Sequence, residues 1–168
     1  MKRTGIFYGS QTGNTAAAAR LIADELGIPP SDVRDIASAS TDEVMAFDSL
    51  ILGTSTWGTG ELQGDWAVFL PKLGSMDLGG KPVALFGLGD QLSFGDWYLD
   101  GMGSIYDAVV AAGAEVVGSW PTDDYQHSES TAVRNGKFVG LALDADNQDH
   151  LTSVRVSAWV AAISPMLS

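Results

Sequence analysis

Residues 4–15 read T-G-I-F-Y-G-S-Q-T-G-N-T, and they set the architecture expected for the rest of the chain. A short run of β-forming residues, Thr4–Tyr8, leads into a loop of glycine and hydroxylic residues, and an alanine-rich helical segment, Ala16–Leu26, follows. At the start of a helix, unpaired backbone N–H groups and the positive end of the helix dipole point to one place. A strand, a tight loop and a helix N-terminus therefore predict an anion-binding site.

The loop offers neutral donors and no cation. The side-chain donors are those of Ser10, Gln11, Thr12, Asn14 and Thr15. The phosphate-loop pattern G-x-x-x-x-G-K-[ST] fails because there is no lysine, and G-x-G-x-x-G fails because Gly9 and Gly13 are spaced differently. The pattern favours a single terminal phosphate. An ordinary strand-to-helix turn with a well-capped helix is the alternative.

Composition restricts the chemistry that the chain can perform. Its 168 residues, 45% hydrophobic and 18% charged, fit one globular domain. The chain has no cysteine, which excludes disulfides, a cysteine nucleophile and cysteine-ligated iron–sulfur or zinc sites. Any redox chemistry must therefore be carried by a bound organic cofactor.

Charge and hydropathy exclude two classes of partner. The net charge is −12 and the basic residues do not cluster, so we expect no nucleic-acid binding. No apolar run approaches the roughly 20 residues of a membrane span, and the N-terminus does not resemble a signal peptide. We therefore expect a cytoplasmic protein without a membrane partner.

Apolar strand runs alternate with helical segments along the whole chain. The predicted strands after the first are Asp32–Ile36, Ser49–Gly53, Lys81–Gly87 and Glu115–Trp120, and Val139–Leu143 is a further strand-like run. This alternation predicts an α/β fold, a doubly wound five-stranded parallel sheet in the order 2-1-3-4-5 with helices on both faces. In such sheets the ligand lies beyond the carboxyl ends of the strands. The site should be built by the glycine-rich loops 9–15, 54–64 and 87–103.

Aromatic and acidic residues occupy these loops. Trp57 and Phe94 suggest that a flat ligand stacks between rings, although Trp97 and Tyr98 could equally be buried against neighbouring loops. No Lys or Arg occurs in the three loops. Their acidic residues are Glu61, Asp90, Asp96 and Asp100, and Asp65 directly follows the loop 54–64. A reduced, anionic ligand would be destabilised in this negative field. A phosphate cradle and an aromatic slot together fit flavin mononucleotide (FMN).

The chain resembles the long-chain flavodoxins of bacteria and cyanobacteria. The matching stretches are residues 5–15, the T-W-G triplet at 56–58, G-E-L-Q-G-D-W at 60–66, V-A-L-F-G-L-G-D-Q at 83–91, and R-N-G-K-F-V-G-L-A-L-D-A-D-N-Q at 134–148. They span nearly the whole chain. The resemblance implies one FMN-binding domain, residues 1–168, with the last strand split by an insertion at roughly residues 121–138.

The resemblance also implies roles for single residues. The phosphate would be bound by Ser10, Gln11, Thr12, Gly13, Asn14 and Thr15. The flavin ring would be held by Ser55, Thr56, Trp57, Gly58, Thr59 and Gly60, with Trp57 stacking on its inner face. Phe94 would stack on the outer face, without the hydroxyl of the tyrosine usual in the family. Backbone groups around Gly89, Asp90, Trp97 and Leu99 would meet the pyrimidine edge, and Asp146 would approach the ribityl chain. No catalytic residue and no metal ligand is implied.

The implied function is that of a low-potential one-electron carrier rather than an enzyme. The flavin would cycle between semiquinone and hydroquinone. An acidic rim would orient basic redox proteins, namely a donor of the flavodoxin/ferredoxin–NADP reductase type and acceptor oxidoreductases, and the carrier would be a monomer. An FMN-dependent NAD(P)H:quinone oxidoreductase is the alternative, although no nicotinamide pocket is evident in the sequence.

Overall fold

A computed structural model describes residues 3–9, 13–57 and 60–167, and for Trp57 it describes the backbone only. The strands are β1 Thr4–Tyr8, β2 Val33–Asp35, β3 Ser49–Trp57, β4 Glu61–Leu62, β5 Pro82–Leu88, β6 Glu115–Val117, β7 Trp120–Pro121, β8 Val133–Arg134, β9 Lys137–Phe138 and β10 Leu141–Leu143. The α-helices are α1 Asn14–Leu26, α2 Thr41–Met45, α3 Gly64–Gly74, α4 Asp100–Ala111 and α5 Thr152–Ile163.

The central sheet is parallel and runs in the order β2-β1-β3-β5-β10. Its middle strands are apolar on both faces, as expected when helices cover a parallel sheet on both sides. Residues 50–52 of β3 and 83–86 of β5 are fully buried. The strand order and the α/β class predicted from the sequence are confirmed.

The last strand of the sheet is divided into two parts. β6 pairs in parallel with Pro82–Ala84 of β5, and β10 pairs in parallel with Phe86–Leu88 of the same strand. Between the two parts the chain leaves the sheet, and β7, β9 and β8 form a small antiparallel sheet. The predicted split of the last strand is confirmed.

Two apolar clusters hold the helices on opposite faces of the sheet. On one face, Ile22 of α1 packs in a cluster with Trp159 and Ile163 of α5. On the other face, a second cluster contains residues of α3 and α4, including Trp66 and Val109. Burial of these side chains is the main favourable contribution to docking each helix. No helix in the described part of the chain has the length and apolar character needed to cross a membrane.

Two of the predicted loops are shorter than expected. β3 continues to Trp57 and pairs with β4, so the segment 54–64 is partly a hairpin-like antiparallel pair. Helix α4 begins at Asp100, inside the segment that we predicted to be a loop to Gly103. The two glycines of this helix allow close packing rather than flexibility, because a Cβ at Gly101 would lie 3.0 Å from Thr56 Oγ1 and one at Gly103 2.6 Å from Thr131 Oγ1.

Candidate functional site

A cleft of about 230 Å³ opens at the carboxyl ends of β3, β5 and β10. Its lining residues are Asn14, Thr15, Ser55, Thr56, Leu88, Gly89, Asp90, Phe94, Ala145 and Asp146. Eight of these ten residues are among those named from the sequence; Leu88 and Ala145 are not. The loops of three separate strands and the N-terminus of α1 therefore meet at one place, as the switch-point rule predicts.

Helix α1 contributes its first turn to the cleft. Gly13 is the N-cap residue with φ 89°, and its carbonyl accepts the hydrogen bond from Ala17 N at 2.9 Å. Asn14 is exposed and Thr15 is only 1% exposed, and both residues line the cleft. The first amides of the helix make this end attractive to an anion. Ser10, Gln11 and Thr12 lie outside the described residues.

The end of β3 places two hydroxyl groups in the cleft. Thr56 Oγ1 accepts a hydrogen bond of 2.9 Å from Gly101 N, which ties β3 to α4. Ser55 Oγ is buried and has no hydrogen-bond partner among the described residues. A buried hydroxyl without a partner is costly, on the order of 1–3 kcal/mol.

Carboxylates dominate the electrostatics of the cleft. Burial alone would raise the pKa of Asp90, but hydrogen bonds from Ser93, Asn147 and Leu92 outweigh it and lower that pKa. The pKa of Asp146 is raised, first by burial and then by the neighbouring charges of Asp90 and Asp144. No Lys or Arg is among the described residues that line the cleft. The predicted negative field is therefore present on this side of the site.

The aromatic residues of the segment 90–99 have different roles. Phe94 lines the cleft and is 42% exposed. Tyr98 is 1% exposed and donates a hydrogen bond to the Leu143 carbonyl at 3.1 Å, so burial, the alternative left open for it, is the correct interpretation. Trp97 does not line this cleft and is 36% exposed.

The remaining predicted residues lie near the cleft but do not line it. Leu99 has φ 59° and is 0% exposed as a whole residue, so neither its side chain nor its backbone is open to the cleft among the described residues. A Cβ on Gly60 would lie 3.3 Å from Trp97 Cδ1, which places Gly60 beside that ring. Gly58 and Thr59 lie outside the described residues, and so does the side chain of Trp57. The predicted contacts of these three residues stay predictions.

Sequence analysis missed the residues that hold the cleft in shape. Asp144 is fully buried and accepts hydrogen bonds from Gln91 and Asn147, and Asn147 also donates to Asp90 at 2.7 Å. The sequence signal that could have identified these residues is the run D-A-D-N at 144–147, directly after a buried strand. This run resembles the start of a calcium loop, but the sequence has Asp149 in place of the loop glycine and Arg155 in place of the closing acid.

A larger groove, of about 640 Å³, lies elsewhere on the molecule. It is lined by residues of β6 and of the β8–β9 hairpin. Because β6 pairs with the first residues of β5, this groove lies toward the amino ends of the strands. Binding sites in doubly wound sheets are built at the other edge, so volume alone does not identify the functional site.

The chain is similar to known proteins of one family. A family model described as Flavodoxin matches residues 6–159. The flavodoxin of Synechocystis sp. is 48% identical over 168 residues, covering 99% of this chain and 99% of the relative. Flavodoxin 1 of Escherichia coli K12 is 46% identical, covering 99% of this chain and 96% of the relative.

The fold is similar to that of solved proteins over its full length. A crystal structure of Fusobacterium nucleatum flavodoxin bound to flavin mononucleotide matches with a TM-score of 0.92 and 37% identity, covering all of both chains. The K13G mutant of the same protein, also bound to flavin mononucleotide, matches with a TM-score of 0.93 and 38% identity, covering 100% of this chain and 98% of that one.

Proposed function

Because this chain belongs to the flavodoxin family, we propose that its cleft binds FMN non-covalently and that the bound flavin carries single electrons between redox proteins. Flavodoxins are electron-transfer proteins, and this chain is accordingly a carrier and not an enzyme. The observation that carries the proposal is the cleft itself, in which residues from four separate segments meet at the carboxyl edge of the sheet. We propose a single FMN-binding domain, residues 1–168, with its insertion at roughly residues 121–138.

The donors of the cleft fit a flavin mononucleotide. The N-terminus of α1, with Asn14 and Thr15, would hold the phosphate together with Ser10, Gln11 and Thr12. Ser55 Oγ, which is buried without a partner among the described residues, would bond to a polar atom of the ligand. Trp57 and Phe94 would stack on the flavin ring, and Asp146 would approach the ribityl chain. Backbone groups of Gly58, Thr59, Gly60, Gly89, Asp90, Trp97 and Leu99 would surround the ring.

The charge of the cleft supports a low reduction potential. FMN supplies the capacity to take up and release one electron at a time. Asp90 and Asp146 line the cleft and Asp144 is close enough to raise the pKa of Asp146. These carboxylates disfavour an additional negative charge on a bound ligand. We therefore propose that the working couple is semiquinone/hydroquinone.

An acidic rim would orient the redox partners. It consists of Glu61, Asp65, Asp96 and Asp100, of which Glu61 and Asp96 are exposed. Such a surface attracts basic proteins and gives small, transient complexes. We propose that a reductase of the ferredoxin–NADP type delivers electrons and that acceptor oxidoreductases remove them. In this proposal the carrier works as a cytoplasmic monomer.

The direct test is a titration of the apoprotein with FMN. The chain is purified, the flavin is removed, and the fluorescence of added FMN is followed. We expect stoichiometric quenching at one FMN per chain and a flavin spectrum in the reconstituted protein. A colourless protein that takes up no FMN would overturn the assignment of the cleft.

A further inference from the structure

One buried carboxylate lies directly behind the cleft. Asp144 follows β10 immediately, and it is 0% exposed. No Lys, Arg or His forms an ion pair with it in the described part of the chain. A buried charge without a counterion is expensive unless hydrogen bonds satisfy it. The fold therefore retains Asp144 only because other groups compensate for its burial.

That compensation comes from two loops that line the cleft. Oδ2 accepts hydrogen bonds from Gln91 N at 3.0 Å, Gln91 Nε2 at 2.9 Å and Asn147 Nδ2 at 2.9 Å. Oδ1 accepts from Asp146 N at 3.1 Å and Asn147 N at 3.0 Å. Gln91 follows Asp90 in the loop after β5, and Asp146 and Asn147 belong to the loop after β10. The Asp144 side chain thus connects the loop after β5 to the loop after β10 by hydrogen bonds.

The same network reaches both the cleft and the insertion. Asn147 Nδ2 also donates to Asp90 Oδ1 at 2.7 Å, so Asp144 and Asp90 share one donor group. Gln91 Oε1 accepts from Gln126 N in the insertion. Gln91 Nε2 also donates to Gln148 Oε1 at 2.8 Å. Asp144 therefore shares the Asn147 amide with Asp90 and also holds Gln91, the residue after Asp90, whereas the other donors to Asp90 are Leu92 N and Ser93 N of its own loop.

We propose that Asp144 is a positioning residue for the cofactor, holding the loops at 89–94 and 145–148 at the separation that the bound flavin requires. A carboxylate suits this task because it only accepts hydrogen bonds, and five are directed at its two oxygens. An amide of the same shape would direct an N–H group at other N–H groups. This inference rests on the proposed FMN site and assigns to it a residue that does not line the cleft.

The test compares two buried carboxylates. Asp32 is 6% exposed, pairs with Arg3 at 2.9 Å, and precedes β2 at the amino edge of the sheet, away from the cleft. We expect Asp144→Asn to raise the dissociation constant for FMN at least about tenfold, because it misplaces both loops. We expect Asp32→Asn to change that constant less than about twofold while it lowers the unfolding midpoint of the apoprotein.

Amide hydrogen exchange distinguishes loosening of the two loops from a general loss of stability, which would raise exchange throughout the sheet. In the Asp144→Asn apoprotein we expect faster exchange at residues 90–94 and 145–148, with unchanged exchange in β1, β3 and β5. Wild-type affinity together with unchanged exchange in those two segments would overturn the proposal. If Asp144→Asn does not fold, Asn147→Ala, which removes the amide that donates to both Asp90 and Asp144, must weaken FMN binding. Failure of the wild-type protein to bind FMN would refute the proposed function, and the exchange data would still decide the role of Asp144.

Discussion

At the scale of single residues, two side chains of the cleft have unfavourable surroundings within the described part of the chain. Ser55 Oγ is buried without a partner among the described residues, and the pKa of Asp146 is raised, first by burial and then by the charges of Asp90 and Asp144. Both features cost stability in the protein alone. Sites where local rules are broken are expected to be functional, so each residue leads to a prediction.

Replacing Ser55 with alanine should separate binding from stability. The change removes a buried hydroxyl that lacks a partner among the described residues, so the free energy of unfolding of the apoprotein should stay equal or rise by up to about 1 kcal/mol. FMN affinity should fall by about fivefold to tenfold, because the ligand loses a hydrogen-bonding partner. Urea unfolding and fluorescence titration measure the two effects.

Ser49 is the matched control at the opposite end of β3. It is 0% exposed, hydrogen-bonds to Thr4 Oγ1 at 2.7 Å and donates to the Leu167 carbonyl at 3.1 Å. Ser49→Ala should lower the free energy of unfolding by about 1 kcal/mol and leave FMN affinity unchanged. Loss of stability in Ser55→Ala, as in Ser49→Ala, would contradict our account of Ser55.

The raised pKa of Asp146 predicts a pH dependence of stability. Its folded-state pKa lies above the ordinary 3.8, so ionised Asp146 is disfavoured in the folded state and costs stability once the pH exceeds both values. Asp146→Asn should therefore stabilise the apoprotein at pH 7, by less than about 1 kcal/mol because the residue is exposed. The gain should shrink as the pH falls toward 3.8 and vanish below it.

Denaturant unfolding of both apoproteins between pH 3 and pH 7 measures this difference. Asp24→Asn, which removes an exposed carboxylate of α1 outside the cleft, is the control for net charge alone. Equal gains in the two variants would show that overall charge, and not the neighbouring carboxylates, determines the effect.

At the scale of secondary-structure elements, three segments converge where the loop after β1 begins. The Gly53 carbonyl accepts hydrogen bonds from Gly9 N at 3.1 Å and from Trp66 Nε1 at 2.7 Å. Gln63 caps α3 by accepting a hydrogen bond from Trp66 N at 3.1 Å. The end of β1, the middle of β3 and the start of α3 are therefore held together where the loop that we propose to bind the phosphate begins.

This packing leaves no room for a side chain at Gly9. A Cβ there would lie 2.7 Å from Trp66 Cδ1 and would also clash with the side-chain amide of Gln63. Gly9→Ala should lower the free energy of unfolding by about 1–3 kcal/mol and weaken FMN binding, because the loop and the helix must separate. Gly74→Ala in α3, where nothing lies within 4 Å, should be neutral or slightly stabilising. Urea unfolding compares the two variants, and equal stability would contradict the packing argument.

Some secondary-structure elements can be predicted from the sequence, and others cannot. The central strands can be read from apolar runs such as residues 50–52 and 83–86, because burial on both faces leaves a clear pattern, and their order follows from the alternation of strands with helices. The start of α4 at Asp100 was missed, since Gly101 and Gly103 resemble loop residues and their close contacts are made by distant segments. Local signals cannot report contacts between residues far apart in the chain.

The candidate site also has features that can be predicted from the sequence and features that cannot. The glycines, hydroxyls and aromatics of its loops are visible in the sequence, and eight of the named residues line the cleft. The role of Asp144 is not visible, because its partners Gln91 and Asn147 come from different loops. Likewise, nothing local to Ser55 predicts that its hydroxyl has no partner among the described residues.

At the scale of the whole molecule, the net charge of −12 should control association with partners. Raising the ionic strength from about 0.01 M to about 0.5 M shortens the screening length from about 30 Å to a few ångströms. Reduction by a basic reductase of the ferredoxin–NADP type should therefore slow about tenfold or more in stopped-flow measurements. The slowing should be weaker in the double variant Glu61→Gln/Asp96→Asn.

The matched control removes two exposed carboxylates elsewhere, in Asp24→Asn/Asp42→Asn. This variant has the same net charge as the rim variant, so only the location of the charge differs. It should keep most of the salt dependence. Equal behaviour of the two variants would assign the effect to total charge and would count against an oriented acidic rim.

Stepwise anaerobic reduction of the purified FMN-loaded protein, followed by its visible spectrum, tests the central claim most directly. Our account predicts that a blue neutral semiquinone accumulates midway and that full reduction requires a separate step at lower potential. Bleaching of the flavin in a single two-electron step, with NADPH alone as the reductant, would contradict the one-electron carrier and favour a quinone reductase.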